Sequence, residues 1–151
     1  MPPTPSAAPD RAHPPKPIPV PDEASAGFWE ATARNELAIQ GCQHCGHLMH
    51  PPRTMCTGCQ STKPAFEWKV VSGRGRVRSW TTIRQALLPA FAADVPYTVA
   101  MVELYEQAGL IMTGQLHDID LADITLDMPV RAEYTELSQG VKVPHFVPVT
   151  T

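Results

Sequence analysis

Four cysteines arranged as two Cys-x-x-Cys pairs constrain this chain more than any other feature of its sequence. Cys42 and Cys45 form the first pair, and Cys56 and Cys59 form the second after a short spacer. Two such pairs are typical of a tetrahedral site in which four thiolates surround one metal ion. Since four protein ligands leave no open coordination position, we expect the metal to stabilise the fold rather than to take part in catalysis.

Zinc is the metal we predict, with one structural ion per chain. Iron also accepts four sulfur ligands and would make the protein a rubredoxin-like electron carrier. Disulfide bonds are another alternative, and one of three nearby histidines (His44, His47 and His50) could replace a cysteine as a ligand. The N-terminus lacks the apolar segment of a signal peptide, so we expect a cytoplasmic protein whose thiols bind metal.

Charge and hydropathy argue against two classes of partner. The chain carries 12 lysines and arginines against 15 acidic residues, a net charge of −3. Nucleic-acid binders are usually basic, because contacts to phosphate dominate their affinity. No apolar run approaches the roughly 20 residues of a membrane span. We therefore expect neither nucleic acid nor a membrane as a partner. Because no known catalytic motif is present, we predict no catalytic residue.

The N-terminal part divides into three segments. Residues 1–21 hold nine of the 17 prolines and are predicted to be a disordered Pro-rich arm, or else an arm that docks on a partner. Residues 22–36 are predicted to form a helix, in which Phe28 and Trp29 either cover the chain's own core or contact a partner. Residues 37–64 are predicted to form the zinc ribbon.

Residues 65–151 have the pattern of a β-barrel. Segments rich in β-branched and aromatic side chains alternate with turn residues. Five or six strands, with a helical segment within 118–127, fit a five-stranded OB-fold, and an SH3-like barrel is the main competitor. The predicted fold is mainly β, with an N-terminal helix, a rubredoxin-like zinc ribbon and a C-terminal OB-fold barrel. The predicted strands are 66–71, 75–83, 97–105, 110–117, 128–137 and 141–149.

Short motifs follow one another along residues 22–149 in a specific order. They are Phe28-Trp29, the two cysteine pairs with Pro51-Pro52-Arg53 between them, Trp68, residues 72–77, Trp80-Thr81, Pro96-Tyr97, residues 102–104, Pro129-Val130 and residues 144–148. Each motif is weak alone. As an ordered set they resemble a family of zinc-ribbon and OB-fold proteins associated with acyl-CoA enzymes, known as domain of unknown function 35.

The resemblance implies a non-catalytic accessory subunit. Members of the family are found with thiolase-superfamily enzymes, namely thiolases, acyltransferases and aldolases that cleave or form carbon–carbon bonds on acyl-CoA. The small subunit would help to assemble the complex and to shape the channel for CoA or the acyl chain. Because thiolases are usually dimeric, we expect a heterotetramer with a CoA thioester at the shared interface. The alternative is a module that binds single-stranded nucleic acid.

Three arginines and a tryptophan are the residues we expect to face CoA or the partner. They are Arg74, Arg76, Arg78 and Trp80. CoA carries phosphates and an adenine ring, which guanidinium groups and an aromatic face can bind. Strict alternation along residues 75–83 would put Arg76, Arg78 and Trp80 on one face of the strand. The alternative is a basic, solvent-exposed barrel face with no ligand.

Overall fold

A computed structural model describes residues 14–63 and 65–149, and it confirms the predicted fold class. The described part contains one α-helix, a three-stranded sheet and a closed five-stranded barrel. The predicted disorder of residues 1–13 lies outside the described residues, whereas residues 14–21 have no regular secondary structure. The helix of the described part is too short to cross a bilayer.

Helix α1 spans Ala26–Ala33 and is shorter than the predicted segment 22–36. At its start, Asp22 accepts a hydrogen bond of 2.8 Å from the backbone N–H of Ser25, and the Asp22 N–H donates to the Ser25 hydroxyl oxygen at 3.2 Å. Such local bonds hold a turn that competes with the helical backbone. At its end, Asn35 adopts a left-handed φ of 60°. Both ends therefore follow from local polar side chains.

The three-stranded sheet belongs to the ribbon and has the order β2-β1-β3. Its strands are β1 (Leu37–Cys42), β2 (Leu48–Met49) and β3 (Phe66–Val71). We expected residues 66–71 to open the barrel, but β3 pairs along its whole length with β1. The alternation of side chains identifies a strand without identifying its neighbour, and this is why the assignment of β3 to the barrel was wrong.

The barrel closes in the order β4-β5-β6-β8-β7. The remaining regular elements are two single 3₁₀ turns, at Pro89–Phe91 and Leu121–Asp123. The second turn lies in the segment where we predicted a short helix. The predicted strand limits agree with the structure to within one residue. The strands are β4 (Arg74–Ile83), β5 (Tyr97–Leu104), β6 (Ile111–Leu116), β7 (Pro129–Ser138) and β8 (Val141–Pro148).

One continuous core joins the helix, the ribbon sheet and the barrel. It contains Phe28 of α1, Ile39 of β1 and Phe146 of β8, together with buried side chains from the other barrel strands. Gly75 lets β4 approach β5 closely, because a Cβ there would overlap the backbone carbonyl of Glu103. The ribbon and the barrel are therefore packed together, and this fixes the surface between them.

Candidate functional site

The four cysteines converge on one point at the end of β1. Their sulfur atoms all lie within 4.8 Å of one another. The Sγ atoms of Cys42 and Cys59 are 3.8 Å apart, and those of Cys45 and Cys56 are 3.6 Å apart. Four sulfurs at about 2.3 Å from a zinc ion would be about 3.8 Å apart in a tetrahedron. The arrangement therefore fits a tetrahedral S₄ metal site, and no pair is at disulfide distance.

The surroundings of the sulfurs act in opposite directions on the thiolate, which is the form that binds metal. Although a backbone hydrogen bond from Ser61 favours the thiolate, burial and the neighbouring thiols raise the pKa of Cys59 to about 11. The amides of Cys59 and Gly58 donate to the sulfur of Cys56, and this hydrogen bonding lowers the pKa of Cys56 to about 6. Gly46 has a φ of 74° and its N–H donates to the carbonyl of Cys42 at 2.8 Å. Glycine tolerates this left-handed conformation at little cost, so it closes the first knuckle.

The loop between the two cysteine pairs is held by a buried amide. The Oε1 of Gln40 accepts a hydrogen bond of 2.8 Å from the N–H of Arg53, and its Nε2 donates to the carbonyl of Arg53 at 3.0 Å. His44, which we considered as an alternative metal ligand, donates a hydrogen bond to the carbonyl of Lys63 at 2.9 Å. His44 is thus tied to the ribbon backbone and does not join the cluster of sulfurs.

Gln107, in the turn between β5 and β6, connects the barrel to the ribbon. Its Oε1 accepts a hydrogen bond of 2.8 Å from the N–H of Leu48, and its Nε2 donates to the carbonyl of Leu48 at 2.9 Å. The side-chain amide thus pairs with both backbone groups of Leu48, as the backbone of a neighbouring strand would. Because Leu48 is buried, both backbone groups would lose their partner if this amide were removed.

Replacing Gln107 by leucine is expected to lower the free energy of unfolding by about 1–3 kcal/mol, the cost of leaving buried backbone groups unpaired. Urea unfolding followed by circular dichroism measures the change. Gln139→Leu, in the exposed turn between β7 and β8, is the matched control and should change stability by less than about 0.5 kcal/mol. Equal effects of the two substitutions would show that Gln107 does not connect the two parts.

The arginines predicted to face CoA or a partner are mostly engaged by carboxylates. Arg76 Nη2 lies 2.6 Å from Glu103, and Arg78 Nη1 lies 2.5 Å from Asp127. The hydrogen bond from Arg76 holds the pKa of Glu103 below its usual value. Arg74 is exposed and forms no ion pair with another described residue. Of the three guanidinium groups, that of Arg74 is therefore the most available to a phosphate.

Trp80 does not share a face with Arg76, so this detail of the sequence interpretation was wrong. A β-bulge lies at Arg78, because the residues on either side of it pair with adjacent residues of β5. Beyond the bulge, Trp80 pairs with the fully buried Ala100, whereas before it Arg76 pairs with the outward Glu103. An extra residue in one strand reverses the alternation that follows it.

Phe28 and Trp29 occupy different environments on α1. Phe28 is 6% exposed and belongs to the core. Its ring lies 5.0 Å from that of Trp29, edge to face, and 5.4 Å from that of His50. Phe28 thus covers the chain's own core, which was the first of our two alternatives. Trp29 is only half-buried and remains partly available at the surface.

A large groove lies between residues 16–19, helix α1 and the barrel, with a volume of about 1030 Å³. Two histidines at its wall, His117 and His145, stack with ring centroids 4.1 Å apart. Sequence reasoning missed this pair, although His145 lies within the last motif of the resemblance. Nothing in the local sequence shows that the end of β6 meets the middle of β8.

Two family models match this chain. Residues 29–65 match the rubredoxin-like zinc ribbon domain of ChsH2, and residues 68–135 match the C-terminal OB-fold domain of ChsH2. The second match identifies the barrel as an OB-fold and settles its competition with an SH3-like barrel.

Curated relatives are of two kinds. The chain is 34% identical over 134 residues to the 3-oxo-4,17-pregnadiene-20-carboxyl-CoA hydratase alpha subunit of Mycobacterium tuberculosis, covering 88% of this chain and 41% of that protein. It thus spans about two fifths of the length of this relative. It is 31% identical over 106 residues to a DUF35 domain-containing scaffold protein of Methanothermobacter thermautotrophicus, covering 70% of this chain and 77% of the other.

A solved structure shows the same arrangement. The Ltp2-ChsH2(DUF35) aldolase contains a chain that superimposes on this one with a TM-score of 0.74 at 32% identity, covering 86% of this chain and 98% of the other. The two matched domains and the superposition both extend over most of this chain. The chain therefore belongs to the DUF35 family of zinc-ribbon and OB-fold proteins.

Proposed function

We propose that this chain is the non-catalytic accessory subunit of a thiolase-superfamily enzyme that cleaves or forms carbon–carbon bonds on acyl-CoA substrates. The observation that carries the proposal is the likeness to the DUF35 chain of an aldolase, which extends over 98% of that chain. The hydratase relative, whose name contains a CoA thioester, supports the substrate class. The thiolase identity of the partner comes from the family resemblance.

The proposal includes one zinc ion per chain, held by Cys42, Cys45, Cys56 and Cys59. The sulfur distances of 3.6 and 3.8 Å support it, as does the match to a zinc ribbon domain. When bound, the ion supplies a covalent-like crosslink and no reactive position, because all four ligands come from the protein. The residues of the ribbon then hold β1 and β2 against the barrel.

We propose a heterotetramer with two copies of each chain, because thiolases are usually dimeric. Trp29 is a candidate contact with the partner, because it is an aromatic side chain that the chain's own core covers only in part. Partly exposed aromatic residues are common anchors of protein interfaces.

Arg74 is the residue of the basic cluster that we propose for contact with CoA or the partner. Arg74→Ala is expected to weaken complex formation or to raise the KM for the CoA thioester by about 3- to 10-fold, since an unpaired guanidinium binds phosphate directly. Steady-state kinetics of the complex measure this. The double variant Arg76→Ala and Arg78→Ala is the comparison, and its effect should be smaller because carboxylates already engage both groups. If neither variant changed complex formation or the KM, the arginines would form a basic surface without a ligand.

Affinity purification of the tagged chain from its own host tests the proposal. Mass spectrometry should identify a thiolase-superfamily protein in equal amount, and elemental analysis should give one zinc per chain. Recovery of nucleic acid, or of the chain alone, would contradict the accessory role. Iron in place of zinc would contradict the metal assignment and favour an electron carrier.

A further inference from the structure

The outer edge of β3 in the ribbon sheet has no strand partner among residues 14–63 and 65–149. β3 is the last strand in the order β2-β1-β3, and it pairs along its length with β1 alone. An unpaired edge presents a row of backbone N–H and C=O groups to which another strand can bind. The edge of β3 is therefore a surface on which the sheet can be extended.

The register with β1 identifies the backbone groups that point outward from β3. Just beyond the two strands, the N–H of Gln43 donates to the carbonyl of Ala65 at 2.9 Å, in line with the same register. Bonded positions recur at every second residue of an antiparallel pair, so the odd-numbered residues of β3 face β1. The outward backbone groups belong to the even-numbered residues Phe66, Trp68 and Val70, and they bond to no other described residue.

The charges of β3 are complementary to those of a second copy of the same strand. Glu67 and Lys69 lie on one face of β3, with their charged groups 3.2 Å apart and both side chains 43% exposed. In an antiparallel pair of two β3 strands centred on Trp68, Glu67 of each copy lies opposite Lys69 of the other. Opposite charges in directly facing positions stabilise a strand pair. The outward groups match in this register too, because Trp68 then faces Trp68 and Phe66 faces Val70.

Neighbouring registers are disfavoured by the same two charges. Since the outward residues must face one another, the strands can slide only in steps of two residues. One such step places Glu67 opposite Glu67, and the step in the other direction places Lys69 opposite Lys69. Like charges in facing positions destabilise a strand pair. The sequence of β3 therefore favours one symmetric pairing over those on either side of it.

Two apolar side chains of β3 are left partly uncovered by the chain itself. Val70 is 62% exposed and Trp68 is 37% exposed. The indole of Trp68 lies over Gly27 of α1, where a Cβ would overlap the ring. This contact holds the indole in place before any partner binds, which lowers the entropy lost on association. Pairing of two β3 strands would shield both side chains from water.

We propose that β3 is a contact between two copies of this chain, which pair edge to edge in the register centred on Trp68. The two three-stranded ribbon sheets then form one continuous sheet across a twofold axis. The contact is small, so the dimer is in equilibrium with the single chain and depends on concentration. This inference goes beyond the proposed function, because it concerns a contact that requires no thiolase.

Sedimentation equilibrium of the isolated full-length, metal-loaded chain tests the pairing. The mean mass should rise with concentration from that of one chain to that of two. Glu67→Lys and Lys69→Glu each place like charges opposite one another at both ends of the contact. Each variant alone should therefore raise the dissociation constant of the dimer at least about fivefold. Glu23→Lys, the same change of charge at an exposed site before α1, should leave the constant unchanged.

A mixture of the Glu67→Lys and Lys69→Glu variants separates the contact between copies from effects within one chain. In a mixed dimer the introduced lysine faces the introduced glutamate, and the remaining Lys69 faces the remaining Glu67. The mixture should therefore dimerise about as well as the unmodified chain. Both variants have lost the ion pair within the chain, so this recovery can come only from the contact between copies.

Hydrogen exchange of the unmodified chain provides a test that needs no variant. The amides of Phe66, Trp68 and Val70 should become protected as concentration rises, whereas that of Lys69, which faces β1, should not change. A single-chain mass at every concentration, a dimer that the charge reversals leave intact, variants that do not dimerise on mixing, or outward amides that exchange freely in the dimer would overturn the proposal. If the variants do not fold, hydrogen exchange decides. No thiolase is present in these experiments, so their failure is distinct from failure to recover a thiolase-like subunit.

Discussion

Removing the metal with a strong chelator is expected to unfold the ribbon and to loosen the barrel with it. Structural zinc sites contribute on the order of 10 kcal/mol, which is comparable to the whole stability of a typical domain. The ribbon strands β1 and β2 share one core with the barrel strands, so the loss should extend beyond the cysteine loops. Circular dichroism and backbone NMR of the chelated chain measure it, and re-addition of zinc should restore the spectrum.

Substitution of single cysteines tests whether the loss of a metal ligand has the same effect as the chelator. Cys42→Ser and Cys56→Ser each remove a buried ligand and should give chains that resemble the chelated protein even in excess zinc. His44→Ala removes a nearby imidazole that lies outside the sulfur cluster, and this chain should keep one zinc. A chelated chain that retains the full native spectrum would show that the metal is not structural.

Phe146→Ala is expected to cost about 3–5 kcal/mol, which is typical of a buried aromatic residue replaced by alanine. Phe146 is fully buried in β8 and lies against Gly114 of β6. It pairs with Leu116 where β6 meets β8, and its carbonyl accepts a hydrogen bond of 2.9 Å from the N–H of His117. The cavity should therefore weaken the closure of the barrel and the wall of the groove together.

The same change at Phe91 is the control for Phe146. Phe91 lies in a 3₁₀ turn, is only partly buried and is absent from the core cluster. Phe91→Ala should cost no more than about 1.5 kcal/mol, since the exposed part of the ring loses little on truncation. Chemical unfolding of both variants gives the comparison. A smaller loss at Phe146 than at Phe91 would contradict the assignment of Phe146 to the barrel core.

The sequence predicted those features that depend on local pattern. Cys42 and Cys45 share one tight turn whatever surrounds them, so a cluster of sulfurs able to hold a metal ion could be predicted from spacing alone. The strands also follow from the alternation of residues within each segment, and β5 is an example, with buried side chains at Thr98, Ala100 and Val102.

Features that depend on distant contacts could not be predicted in this way. The bulge at Arg78 arises from the register with β5, and it reversed the side on which Trp80 lies. The attachment of β3 to β1 depends on which strand edge is free after folding. His117 and His145 meet because β6 and β8 become neighbours, and Gln107 reaches β2 across 59 residues of sequence. Each of these features depends on which distant segments pack together, and the local alternation of side chains does not determine this.

The most direct test of the central claim is the activity of a thiolase-superfamily partner, purified with this chain and without it. We predict that the complex cleaves or forms a carbon–carbon bond on an acyl-CoA substrate, and that the partner alone is inactive or at least about tenfold slower, a difference of about 1.4 kcal/mol in the activation free energy. Adding back the zinc-loaded chain should restore the rate. A partner that works equally well without the chain, or that never associates with it, would contradict the account.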